Sequence, residues 1–260
     1  DKKADIRLEA AMSKLWGTEM AWEIVNDTMQ IRGGRGYETA QSLKARGEEP
    51  VPVERFLRDS RINTIFEGSS EIMRLFIARE ALDPHLKVAA AALNSQLPAS
   101  KRGKAAAKAA LFYAGWYPRQ WLSLDGFRVP RSRFRVVRRH LRYAARTSRK
   151  LARKLFHAMA VHGPKLERQQ VLLGRFVDIG TELFAITATC ARAEELLARG
   201  GRKEELLALV DYFCHSARLR IDQRFAGLTR NSDRQGYRLA QNVLAGGYDW
   251  LDEGICGRPG

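Results

Sequence analysis

Only three cysteines stand in 260 residues, Cys190, Cys214 and Cys256. Their spacing is too wide for a zinc knuckle and they do not pair off evenly, which fits a reducing compartment, thiols without a chemical task and no metal site. No apolar run approaches the roughly 20 residues that cross a bilayer. Strand-like alternation is absent, and no segment repeats. The opening "DKKADIRLEAAM" has neither an initiator Met nor the regions of a signal peptide. It reads as the front of a helix entered mid-protein, so a piece of a longer protein is expected. Acid is scarce in one region, where Asp125 is the sole acidic residue between Lys101 and Lys154.

Hydrophobic residues make up 45% and charged residues 28% of the chain, a globular balance rather than a disordered one. The formal net charge is +16. Much of the excess lies in "RVPRSRFRVVRRHLRYAARTSRKLARK", the band from Arg128 to Lys154. Such a band seeks phosphates, whether on lipid headgroups, nucleic acid or a phosphorylated ligand. Phe134, Val137 and Leu141 are interleaved with its arginines, as in an interfacial amphipathic helix.

Apolar spacing predicts helices almost everywhere. Leu8, Met12, Leu15, Trp22, Val25 and Met29 share one face, and the glycines of "IRGGRGY" should end that helix. A loop is expected over "KARGEEPVPVE", then a short helix from Glu54 to Asp59. Ile72, Leu75, Phe76 and Arg79 open a helix that should stop near Asp83-Pro84. Later faces are Phe134 to Met159, Leu172 to Ile186 and Leu207 to Phe225. The fold class read from this is all-α, in two helical bundles. The expected division is 1–88, an Ala/Lys-rich and partly loop-like connecting segment over 89–131, and 132–260.

Two stretches could carry chemistry. In "MQIRGGRGYETA", Gly33, Gly34 and Gly36 follow Gln30 and let the backbone approach a ligand closely, with amide donors for an oxyanion. A helix C-cap explains the same glycines, and no strand precedes them as a dinucleotide fingerprint requires. In "RINTIFEGSSEIMRLFIAREA", Glu67 sits between Ile65-Phe66 and a Gly-Ser-Ser turn. Apolar neighbours would desolvate its carboxylate and raise its pKa towards the range of a general base. Gly68 leaves room for a substrate, and Ser69 and Ser70 can cap the next helix. An acid near a helix start is also ordinary dipole chemistry.

Taken jointly, the two stretches resemble the acyl-CoA dehydrogenase family. The carriers are Gln30, Gly33, Gly34, Gly36 and Tyr37, then Arg58-Asp59, then Phe66, Glu67, Gly68 and Ser69, followed by "RLFIARE". Further on, "HGPKLERQQVLLGRFVDIGTELFAITATCARA" is similar to the additional C-terminal domain of the very-long-chain branch. The resemblance implies FAD-dependent α,β-dehydrogenation of long-chain acyl-CoA to trans-2-enoyl-CoA in fatty-acid β-oxidation. Glu67 corresponds to the base that removes the α-proton, and Gly68 to a position lining the thioester. Ser69, Ser70 and Glu71 correspond to a segment touching FAD. Gln30, Ile31, Arg32, Gly33 and Gly34 match the strip that contacts the ADP part of FAD in a neighbouring subunit, so at least a homodimer is implied. Electron-transferring flavoprotein is the implied electron acceptor. The long-chain relatives also suggest an anionic membrane, rather than nucleic acid, as the partner of Arg128 to Lys154. The expected location is a bacterial cytoplasm, peripheral to the inner membrane, with the mitochondrial matrix and inner membrane as the alternative. A rival reading keeps the scaffold but gives its basic region DNA or membrane binding without this chemistry.

Overall fold

The structure is a computed structural model that describes residues 5–93, 96–122 and 132–252. Among the described residues there is helix and turn but no strand, as the apolar spacing predicts. Helix α1 runs Arg7–Arg32, α2 Gly34–Tyr37, α3 Ala40–Ala45, α4 Val53–Ile62, α5 Ser70–Leu93 and α6 Ala99–Arg119. Helix α7 runs Arg135–His162, α8 Gln170–Ala198, α9 Lys203–Gly227 and α10 Asp233–Leu244.

Two cores form, and α8 belongs to both. One is built by Val137 and Ala144 of α7, Ile179, Leu183, Ile186 and Cys190 of α8, and Val210, Cys214, Ala217 and Ile221 of α9. The other joins Ala11 and Leu15 of α1, Ile77, Ala78 and Leu82 of α5, and Leu173 and Val177 of α8. A cluster of charges ties the same helices together. Arg74 of α5 forks onto Glu19 of α1 at 2.8 Å through both terminal nitrogens, and its Nε donates to Asp178 of α8 at 2.7 Å. Cys190 and Cys214 are free and buried, whereas Cys256 lies outside the described residues.

Three expectations need correction. Helix α5 does not stop at Asp83-Pro84 but carries Pro84 inside it and continues to Leu93. An interior proline costs about 3 kcal/mol. The alanines of "KVAAAAL" favour the continuation, and so does packing on α6, where His85 stacks on Tyr113 at 5.8 Å and meets the edge of Trp116 at 4.9 Å. The second correction concerns the segment 89–131, which holds the 21-residue helix α6 and keeps "WYPR" helical to Arg119; positions 123–131 lie outside the described residues. Third, the loop expected over 44–54 starts later than Lys44, because α3 runs to Ala45, capped by the Thr39 hydroxyl accepting from Ser42 N–H at 3.2 Å and anchored by the buried Leu43.

The basic band also departs from the interfacial picture. Val137 is fully buried, and Phe134 and Leu141 pack against the α7–α8–α9 core. The apolar face of α7 is therefore occupied inside the protein. What faces solvent is a stripe containing Arg135, Arg139, Arg142 and Arg146. Residues 128–131 of the band lie outside the described residues. No helix among the described residues is long and apolar enough to cross a membrane.

Candidate functional site

The turn between α4 and α5 holds Glu67, and its backbone is set by three devices. Ser70 N–H donates to Thr64 C=O at 3.0 Å, closing the turn on itself. Lys14, reaching from α1, donates its ammonium to Asn63 C=O at 3.0 Å and to Gly68 C=O. Arg61 donates to the Thr64 hydroxyl at 3.1 Å while its guanidinium lies 5.2 Å from the Trp22 ring. The result is a pair of left-handed residues, Glu67 at φ 50° and Gly68 at φ 97°. Glycine takes that conformation without penalty, but a glutamate does so at a cost of about 1–2 kcal/mol. A side chain on Gly68 would also meet Met73 Sδ at 2.7 Å.

Among the described residues, the backbone N–H of Glu67 has no acceptor. The Glu67 side chain is exposed, and Ile65 and Phe66 are 53% and 45% exposed. This corrects the expectation that Ile65 and Phe66 desolvate the carboxylate. The neighbouring helices clamp the backbone of the turn and leave its side chains uncovered.

Beside the turn is a cleft of about 350 Å³ lined by Trp22, Arg61, Ile65, Ser69, Ser70 and Glu71, among others. Ser69 caps α5 weakly, its hydroxyl accepting from Ile72 N–H at 3.4 Å. Ser70 is buried at the start of the helix, and Glu71 lies in its first turn, where the dipole favours an acid.

The glycine strip is elsewhere on α1. Gly33, at φ 58°, ends the helix, its N–H donating to Gln30 C=O at 3.1 Å. Gly36 is buried so tightly that a Cβ would lie 2.6 Å from the carbonyl oxygen of Met29. The C-cap reading of these glycines is therefore correct for Gly33, and close helix approach accounts for Gly36. Neither reason applies to Gly34, where a Cβ would meet nothing within 4 Å. Gln30 and Ile31 are exposed, and Arg32 Nε is buried without a hydrogen-bond partner. Arg35 pairs with Glu48 at 2.8 Å.

The structure thus gathers Glu67, Gly68, Ser69, Ser70 and Glu71 into one place and Gln30 to Gly34 into another. The two lie about 24 Å apart along α1, from Lys14 beside the turn to Gln30, at 1.5 Å per residue. Lys14 was invisible to sequence reasoning, because a single lysine on an amphipathic helix has no distinguishing pattern.

Comparisons with known proteins bear on the family and the fold. The family model "Acyl-CoA dehydrogenase, C-terminal domain" matches residues 1–82, and "Acyl-CoA dehydrogenase, C-terminal, bacterial type" matches 119–246. The chain is 50% identical over 252 residues to the probable acyl-CoA dehydrogenase FadE10 of Mycobacterium tuberculosis, covering 96% of this chain and 39% of that protein. It is 31% identical over 235 residues to the human mitochondrial very long-chain specific acyl-CoA dehydrogenase, covering 86% of this chain and 32% of that one. The chain thus spans about two-fifths or less of the length of these relatives. An acyl-CoA dehydrogenase from Bacillus anthracis, solved in complex with FAD, shares the fold with a TM-score of 0.61 over 90% of this chain and 35% of its own, at 23% identity. With one C-terminal family model matching residues 1–82, which hold both the Glu67 turn and the glycine strip, and a second matching 119–246, the chain belongs to the acyl-CoA dehydrogenase family.

Proposed function

We propose that these residues supply the base and part of the flavin site of an FAD-dependent dehydrogenase that converts long-chain acyl-CoA to trans-2-enoyl-CoA in fatty-acid β-oxidation. The observation that carries this is Glu67 held in a left-handed conformation by three independent anchors. Strain of that kind persists where the surroundings over-determine it, and it concentrates at functional sites.

An α-C–H is far too weak an acid for a carboxylate to deprotonate unless the enolate is stabilised as it forms. The unpartnered Glu67 N–H suits that task, donating to the thioester oxygen as negative charge develops there. The Glu67 carboxylate then takes the α-proton. Gly68 beside it keeps the approach free of side-chain bulk. Because the side chain is exposed here, its desolvation is assigned to the acyl chain, the flavin and protein surface beyond this turn.

The residues fit FAD. Arg32 has a buried nitrogen without a partner and forms no ion pair among the described residues, and Gly33 and Gly34 have open space around them. Together they suit a pyrophosphate. Ser69, Ser70 and Glu71 line the cleft beside the base. When bound, FAD supplies the acceptor for the β-hydride. The separation of the two patches along α1 supports a homodimer in which the strip serves the flavin of the neighbouring subunit. The 85% and 78% exposure of Ile31 and Tyr37 leaves apolar surface for that interface. Electrons then pass to electron-transferring flavoprotein. A bacterial cytoplasmic location goes with this reading, with the arginine stripe of α7 touching an anionic membrane through charge alone.

The test is anaerobic bleaching of the flavin by palmitoyl-CoA in the intact protein. Glu67→Gln should retain FAD and lose bleaching; bleaching at the unmodified rate would remove the assignment. Flotation with anionic but not neutral liposomes at physiological salt should report the stripe, and retention of duplex DNA instead would transfer it to nucleic acid.

A further inference from the structure

Outside the Glu67 turn, α7 and α9 bring together His140, Asp211 and His215, one ligand atom of each lying within 4.8 Å of the others. We propose that this cluster is a binding site for a zinc-class divalent cation that cross-links α7 to α9. His140 is fully buried, and its Nε2 lies 2.7 Å from Asp211 Oδ1. His215 Nε2 lies 3.6 Å from the same oxygen, and the two imidazole rings are perpendicular with centroids 5.4 Å apart.

Ligands of a tetrahedral zinc sit about 2.0–2.2 Å from the metal, hence about 3.3 Å from one another. The two histidine separations from Asp211 Oδ1, 2.7 and 3.6 Å, bracket that spacing, and the remaining pair lies within 4.8 Å, a gap that side-chain rotation of the exposed His215 can close. Asp211 and His215 are one turn apart on α9, which puts both on one face. His140 comes from the other helix and is the fixed member, locked by the core. Two imidazoles and a carboxylate form a borderline nitrogen–oxygen set that suits zinc, copper or nickel and not magnesium or calcium. With three protein ligands, a fourth position stays open to water.

Two features oppose the metal. Arg139 also donates to Asp211 Oδ1. It is half-exposed, and Asp211 has a second oxygen to offer it. His140 Nδ1 is buried without a partner, whereas metal-bound histidines usually donate through the second nitrogen. That holds the expected affinity below that of a dedicated structural zinc site.

The experiment uses the untagged protein after removal of metals by chelator and dialysis. Zinc titrated in a calorimeter should bind one to one at micromolar or tighter concentration and raise the melting temperature by several degrees. Magnesium should do neither. His215→Ala, at an exposed position, should leave the metal-free melting temperature unchanged and weaken zinc binding at least tenfold, and Asp211→Asn should weaken it likewise. Cobalt should give a visible tetrahedral spectrum that His215→Ala abolishes. Absence of stoichiometric binding, or binding that both variants retain, would overturn the site. Either outcome leaves the flavin chemistry at Glu67 untouched.

Discussion

Lys14 on α1 and Gly68 in the α4–α5 turn are 54 positions apart in sequence, yet the lysine ammonium donates to the glycine carbonyl. A second bond from the same ammonium reaches Asn63 C=O at 3.0 Å. One charge thereby holds both ends of the segment that carries Glu67. A hydrogen bond to a charged group contributes about 1.5–3 kcal/mol, and because the two bonds here share one partly exposed ammonium, Lys14→Met should cost about that much in all. Hydrogen exchange should quicken over residues 63–70 and stay unchanged in α8; uniform quickening would contradict the clamp.

Strain at the turn predicts opposite effects for adjacent substitutions. Glu67→Gly removes the penalty of φ 50° and should be neutral or stabilise the protein by up to about 1 kcal/mol, even as it removes the base. Gly68→Ala places a side chain at φ 97° and 2.7 Å from Met73 Sδ, and should destabilise by about 1–2 kcal/mol. Denaturant unfolding of the two variants checks the sign. A Glu67→Gly variant clearly less stable than the parent would mean the left-handed turn is not strained.

Gly36 makes a similar claim about the strip. A methyl group there would press on the Met29 carbonyl at 2.6 Å, and backbone cannot swing aside as a side chain can. Gly36→Ala should cost about 1–3 kcal/mol, and Gly34→Ala, with open space around it, should cost less than half as much in a paired thermal melt.

How far this was legible in the sequence depends on where each signal resides. Leu183, Ile186, Val210 and Ile221 were readable as core because helical period and burial coincide on α8 and α9. The course of α5 past Pro84 was not, since docking of His85 on Tyr113 and Trp116 outweighs a local breaker. Helix α3 was hidden because six residues give too short a period to detect. The residue types of the Glu67 turn were plain, but its exposure and its anchoring by Lys14 depend on which helices lie against it. Spacing along one strand of text carries no record of that.

The tether of α10 makes a pH prediction. Arg175 on α8 donates to Asp233 at 2.7 Å, and that hydrogen bond holds the aspartate carboxyl below its ordinary value of 3.8. The folded protein then binds fewer protons at this site than the unfolded chain does. The contribution is present above the unfolded value and is lost as pH falls through the folded one, so the window lies below about pH 4. The partly exposed pair should contribute no more than about 1 kcal/mol. Asp233→Asn should flatten the acid limb of stability against pH and speed exchange in α10 at neutral pH.

The most direct test of the account isolates proton removal from hydride transfer. An acyl-CoA lacking β-hydrogens can lose an α-proton but cannot be dehydrogenated, so deuterium entering its α-carbon from heavy water reports the base alone. In the intact protein, deuterium should enter with Glu67 present and fall at least a hundredfold in Glu67→Gln with FAD still bound. Incorporation at the same rate in both would contradict the assignment of Glu67 as the base.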